Sequence, residues 1–170
     1  MKIKPIKTKR FIIRNYKKTD KDALIKNIND PDIGRYMSVV PYPYGSKEAN
    51  IFLKKALNLK RKDRVNLAIE IEGEVAGSCG IHRNGHQAEI GYWLAKKHWG
   101  KGLITEVTRE LVKLCFDKLK LKRVTAKVYL PNKASARVLE KNKFKLEGIL
   151  RKEVCKKGKY YDVYLFAKVR

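Results

Sequence analysis

The sequence predicts an α/β (α+β) protein built on a single mixed, mostly antiparallel twisted sheet flanked by helices. Three observations predict it. Between Val65 and Leu94, apolar runs alternate with the turn residues Glu72-Gly73-Glu74 and Asn84-Gly85, the pattern of consecutive hairpins. Further on, Val107, Leu111, Leu114 and Cys115 recur at helical spacing. A strand-like run, RVTAKVYL, follows that helix, so hairpins and helix crossovers feed one sheet.

The elements follow in order. Residues 10–16 (RFIIRNY) read as a first strand. Thr19 with Asp22 three positions on starts a helix, and NDPD stops it near Asn29. After a loop carrying PYPYG, Ser46 reads as the cap of a second helix over 47–60, with Ile51, Leu53, Ala56 and Leu57 on its apolar side. Strands at 65–71, 75–81 and 88–94 come next, then the helix over 104–119 and the strand 123–130, which Pro131 terminates. Asn132 can cap a short helix carrying Ala136, Val138 and Leu139. Residues 144–155 and 160–169 read as a long hairpin around Lys156-Lys157-Gly158-Lys159. The order is β-α-α-β-β-β-α-β-α-β-β.

A chain of 170 residues suits one domain spanning 1–170, with a sizeable core. No apolar run approaches the roughly 20 residues of a membrane helix. The start, MKIKPIKTKRF, lacks the apolar stretch of a secretory signal. Cys79, Cys115 and Cys155 are odd in number and far apart, which argues against a metal or disulfide framework and for a reducing cytoplasm. Forty-one Lys and Arg against 17 Asp and Glu give a net charge of +24, a field that attracts RNA, acidic surfaces and phosphorylated cofactors. The lysines are spread along the whole chain, however, as a lysine-rich codon bias or a thermophile's surface also produces. No RNP-like aromatic motif, zinc-finger spacing or basic heptad helix accompanies them.

The stretch HWGKGLITEV follows the strand-like AEIGYWL. A loop that enters a helix through glycines points several backbone N–H groups at one spot, where the helix dipole adds positive potential. Such a turn suits a phosphate or pyrophosphate. Gly100 and Gly102 remove side chains that would block close approach, Lys101 adds charge, and Thr105 can supply a hydroxyl. Taken alone, the glycines also fit a tight β–α connection with no ligand. The turn is neither a P-loop nor a GxGxxG fingerprint.

Strand AEIGYWL, turn HWGKGLITE, an amphipathic helix, a strand and then PNKASARVLEKNKF together resemble the GNAT family of acetyl-CoA-dependent N-acetyltransferases, within it the RimJ/RimL-type group. The opening TKRFIIRNYKKTDKDAL and NDPDIGRYM extend the resemblance over nearly the whole chain. It implies that acetyl-CoA is the cosubstrate. The family's pyrophosphate motif falls on Trp99, Gly100, Lys101, Gly102, Leu103 and Ile104, with Trp99 in place of a polar residue and Ile104 in place of a small one. Ile104 leaves less room beside the pyrophosphate. The resemblance further implies that the backbone of Tyr92, Trp93 and Leu94 pairs with the pantetheine arm and offers an N–H to the thioester oxygen. Asn132 matches the position that contacts the cofactor arm.

For catalysis, Glu89 matches a position where several members carry a base, although a solvated carboxylate or a lysine partner reads equally well. Leu139 stands where the family's frequent general-acid tyrosine would be. Ser135 matches the serine proposed as proton donor in the RimJ/RimL group, against a helix first-turn serine bonded to backbone. Tyr36, Tyr42 and Tyr44 fall in the loop that walls the acceptor pocket in this family, or else staple that loop to the core. His82, His86 and His98 read as surface residues. Asn142, where relatives carry a helix-ending glycine, tolerates the left-handed conformation. The resulting expectation is an N-acetyltransferase acting on a primary amine, a protein or peptide α-amine first and a polyamine-type small amine second. It works as a monomer or homodimer and away from membranes. The rival is a non-catalytic RNA- or ribosome-binding module on the same fold.

Overall fold

The computed structural model describes residues 1–38, 40–60 and 63–170. Its elements are β1 (Ile6–Lys7), β2 (Ile12–Asn15), α1 (Lys21–Ile28), α2 (Pro31–Arg35), α3 (Ser46–Ala56), β3 (Arg64–Ile71), β4 (Glu74–Asn84), β5 (Gln87–Leu94), α4 (Leu103–Lys113), β6 (Arg123–Tyr129), α5 (Lys133–Lys141), β7 (Lys145–Lys156) and β8 (Lys159–Val169). The strands form one sheet in the order β1-β2-β3-β4-β5-β6-β8-β7. Every pairing is antiparallel except β5 with β6. The mixed, mostly antiparallel sheet expected from the sequence is therefore the fold.

Alternation along the strands divides the core into two layers. Ile13, Leu67, Ile69, Ile81, Ile90 and Val124 face one layer, where they meet Val107 and Leu111 of α4 and Leu139 of α5. Ala68, Val75 and Trp93 face the other, against Leu24 and Ile28 of α1 and Leu53 of α3. Leu103, Val107 and Leu111 are buried at four-residue spacing, so α4 presents one continuous stripe to the sheet.

Several expectations need correction. β1 adds an edge strand that pairs with β2 and was not foreseen. The first helix starts after a 3-10 turn, Lys18–Asp20, and Asp20 rather than Thr19 or Asp22 caps the entry by accepting the Lys17 N–H at 2.7 Å. NDPD stops α1 and also starts α2, because Asp30 accepts the Asp32 N–H at 2.8 Å and Pro31 takes the first helical position. Gly45, not Ser46, occupies the cap of α3, and the Glu48 carboxylate accepts its N–H at 3.0 Å. That helix ends at Ala56, and Ile51 is exposed. The helix over 104–119 is α4 followed by a π-helical turn, Leu114–Lys118. At the end of α5, Asn142 has φ −91°, and Lys143 takes the left-handed conformation at φ 61°. Asn142 is held otherwise: its buried amide donates to Thr105 O at 3.1 Å and Val138 O at 2.9 Å, tying α5 to the first turn of α4.

Among the described residues no helix is long and apolar enough to cross a membrane.

Candidate active site

β5 and β6 run parallel but pair only over Gln87–Arg123, Ala88–Val124 and Glu89–Thr125. Beyond Glu89 the two strands continue without pairing to each other, β5 to Leu94 and β6 to Tyr129. Each keeps a partner on its outer side, β5 with β4 and β6 with β8. The sheet therefore opens into a wedge whose two inner strand edges offer backbone groups to whatever enters. An extended ligand carrying amides can take them as a neighbouring strand would.

The glycine turn stands at the mouth of this wedge. Gly100 and Gly102 have φ 74° and 73°, and Gly102 occupies the cap position of α4. Neither glycine has an atom within 4 Å of a Cβ placed on it, so backbone conformation and clearance for a ligand are what select glycine here. The first N–H groups of α4 point out of the helix, as at any helix start. Two contacts fix the turn from behind. Arg10 donates to Lys101 O at 2.8 Å and pairs with Glu106 at 2.5 Å. The Trp99 indole N–H donates to Leu94 O at 2.6 Å, joining the turn to the end of β5. Ile104, half-buried, packs its side chain against the first core layer. Thr105 is half-buried, and its N–H bonds Gly102 O at 3.1 Å.

Trp93 and Leu94 are buried in opposite core layers, so their side chains anchor β5 while their backbone borders the wedge. The Tyr92 side chain crosses to the other wall, where its hydroxyl lies 3.0 Å from Ser135 Oγ. Burial pushes the Tyr92 phenol up to about 12. Asn132 caps α5 as expected, accepting the Ser135 N–H at 3.1 Å. Ser135 thus sits in the first turn of α5, its hydroxyl facing Tyr92.

Glu89 lies at the last paired position before the wedge opens. Its carboxylate meets Lys127 Nζ at 3.2 Å, and the same ammonium meets Glu153 at 2.8 Å. The hydrogen bond to Glu153, with Glu89 adding to it, raises the Lys127 pKa. The lysine-partner role read for Glu89 is thus present in the structure. Of the three loop tyrosines, only Tyr36 comes near the wedge, its ring 6.1 Å from Tyr129 at the end of β6. Tyr42 is exposed, and Tyr44 is packed in the second core layer with its phenol pushed up to about 12 by burial. Tyr44 is therefore a core residue in this structure.

The sequence reasoning passed over Arg10, Lys127, Tyr129, Glu153 and Tyr161. Tyr129 is buried, and its hydroxyl has no hydrogen-bond partner among the described residues. Its ring contacts Tyr161 of β8 at 5.6 Å. The Lys156 ammonium, at the tip of the β7–β8 hairpin, donates to Gly34 O, and to Arg35 O at 3.2 Å, strapping that hairpin to the carbonyl end of α2. His82 and His86 are exposed, and His98 is half-buried with its pKa lowered by burial and then by Lys97. No group of three or more His, Cys, Asp and Glu that could hold a metal ion occurs among the described residues.

A parallel pair that splits, with a glycine-entered helix at its mouth, forms a cleft suited to an extended ligand that carries amides at one end and phosphate at the other. The acetyltransferase (GNAT) domain family matches residues 10–145, and the chain belongs to it. Over 165 residues it is 33% identical to the N-acetyltransferase p20 of Bacillus licheniformis, covering 94% of this chain and 93% of that protein. A ribosomal-protein-serine acetyltransferase of Escherichia coli is 35% identical over 82 residues, 48% of this chain and 46% of that one. Among solved structures, RimL, the ribosomal L7/L12 α-N-protein acetyltransferase in complex with coenzyme A, superposes with a TM-score of 0.89 at 22% identity, over 98% of each chain. The chain is thus an acetyl-CoA-dependent N-acetyltransferase of this family.

Proposed function

We propose that the acceptor is the α-amine of a protein or peptide, of the ribosomal-protein kind, and that the wedge between β5 and β6 seats acetyl-CoA. The observation that carries the acceptor class is the Lys127 ammonium 3.2 Å from Glu89. Lys127 already occupies the Glu89 carboxylate, so an acceptor that needs no strong base suits the site best. An α-amine titrates near 7.7–8.0, so a sizeable fraction is neutral at physiological pH and asks little of a base. A lysine or polyamine nitrogen titrates near 10.4 and asks much more. The net charge of +24 also repels a polycation before it reaches the site. The relative from Escherichia coli that acts on a ribosomal protein supports the same choice.

On this reading the pyrophosphate rests on the N–H groups entering α4, from Gly100 through Ile104, with the Thr105 hydroxyl beside them. The pantetheine arm lies along Tyr92–Leu94, with Asn132 across from it. A backbone N–H of β5 holds the oxyanion of the tetrahedral intermediate. Glu89, steered by Lys127, receives the amine's proton, directly or through water. Ser135 protonates the departing thiolate. Tyr36 lines the acceptor side, backed by the buried ring of Tyr129.

The test combines acceptor choice with Glu89→Gln. Wild-type protein is given acetyl-CoA with N-terminal peptides, amino acids and polyamines, and products are read by mass spectrometry. Peptide α-amines are expected to dominate, and Glu89→Gln to cost about 10²-fold or less in kcat with them. Preferred turnover of polyamines, with a large loss in Glu89→Gln that high pH rescues, contradicts the α-amine assignment.

A further inference from the structure

The hydrogen bond between Tyr92 and Ser135 joins residues 43 positions apart and spans the wedge from one wall to the other. The protons around it can be counted. Tyr92 has one proton and two oxygens of Ser135 within reach, Oγ at 3.0 Å and the carbonyl oxygen at 3.5 Å. If the proton goes to the carbonyl, the Ser135 hydroxyl proton is drawn back onto the Tyr92 oxygen and away from the substrate. If it goes to Oγ, the serine proton is released into the wedge.

We propose that Tyr92 is a positioning residue for Ser135: its phenol donates to Ser135 Oγ and thereby turns the serine proton toward the sulfur of the departing coenzyme A. This rests on the reading of Ser135 as proton donor given above. Two features make the arrangement specific. Asn132 holds the Ser135 N–H at 3.1 Å and so fixes the serine backbone. Burial keeps the phenol protonated throughout the working pH range, so it remains a donor.

The step balances. As the tetrahedral intermediate collapses, the C–S bond breaks and its electron pair goes to sulfur. Sulfur takes the Ser135 hydroxyl proton, and the charge left on Ser135 Oγ is held by the Tyr92 O–H. The proton lost by the attacking nitrogen returns through Glu89 and solvent to Ser135, so the products are the amide and the free thiol with no net proton change.

A double-mutant cycle tests the coupling. Tyr92→Phe is expected to lower kcat about 10-fold, the lower part of the range for positioned proton transfer, with acetyl-CoA affinity unchanged. In a Ser135→Ala background the same change is expected to cost nothing more. Independent, multiplying losses, or a loss carried by acetyl-CoA affinity alone, would overturn the assignment. Unchanged kcat in Ser135→Ala would instead remove Ser135 as donor, a separate failure. A polyfluorinated tyrosine at position 92 keeps the ring and lowers the phenol pKa, which gives a second readout independent of packing. It is expected to bring the alkaline fall of kcat to lower pH. An alkaline limb that stays where it is in the natural protein contradicts the proposal.

Discussion

Replacing Gly102 by Asp is expected to abolish coenzyme A binding, the largest effect on function foreseen for a single substitution. Two costs combine. Gly102 stands at φ 73°, a conformation that L residues adopt at a cost of about 1–2 kcal/mol. The space beside it is clear, and on the proposed cofactor path a carboxylate there meets the pyrophosphate's negative charge at close range. Two like charges about 4 Å apart repel by roughly 4 kcal/mol at the effective dielectric of a protein surface. That alone is on the order of 10³-fold in Kd. Lys101→Ala should instead weaken binding by about fivefold or less, because an exposed charge contributes under about 1 kcal/mol and the N–H groups stay in place. Calorimetric titration with desulfo-CoA measures both. Unaltered affinity in Gly102→Asp would remove the turn from the cofactor site.

The largest effect on stability is expected at Arg14, far from the chemistry. Arg14 is buried, donates to both oxygens of Asp20 at 2.8 Å, and donates to Glu70 at 2.5 Å. Its hydrogen bond with Asp20 raises the guanidinium pKa, ahead of the opposing cost of burial and the further support of Glu70. Asp20 also holds the Lys17 N–H that opens α1. Arg14→Met leaves two carboxylates in a low-dielectric layer without their cation, and a broken buried pair of this kind costs about 3–5 kcal/mol. The urea midpoint should fall accordingly, with the slope of the transition unchanged. Adding Asp20→Asn and Glu70→Gln should recover part of the loss, since no uncompensated charge then remains. A midpoint unchanged in Arg14→Met would show that water already solvates the cluster.

What the sequence made legible was local. The hairpin turn at Glu72-Gly73, the apolar stripe of α4 and the Asn132 cap each lie within a few residues, and each stands as expected, while the turn read at Asn84-Gly85 falls one residue later, on Gly85-His86. The start of α2 was also written there, as an Asp cap followed by proline, but NDPD was taken only as a stop. β1 is two residues long and has no period to detect. The Glu89–Lys127–Glu153 chain, the Tyr92–Ser135 bridge and the Arg14 cluster were out of reach for another reason. They join positions brought together by the sheet order, and nothing in the local pattern of either partner announces the other. For Tyr44 the sequence left two readings open, a pocket wall from the family resemblance and a staple to the core, and packing takes the second.

The central claim is that the split between β5 and β6 and the glycine turn form one cradle for acetyl-CoA. A crystal structure of the protein with acetyl-CoA tests it most directly. The pyrophosphate is expected on the N–H groups of Gly100–Ile104, the pantetheine amides paired with Tyr92–Leu94, and the thioester sulfur beside Ser135. Acetyl-CoA bound at another face, with the inner edges of β5 and β6 left to solvent, would contradict it.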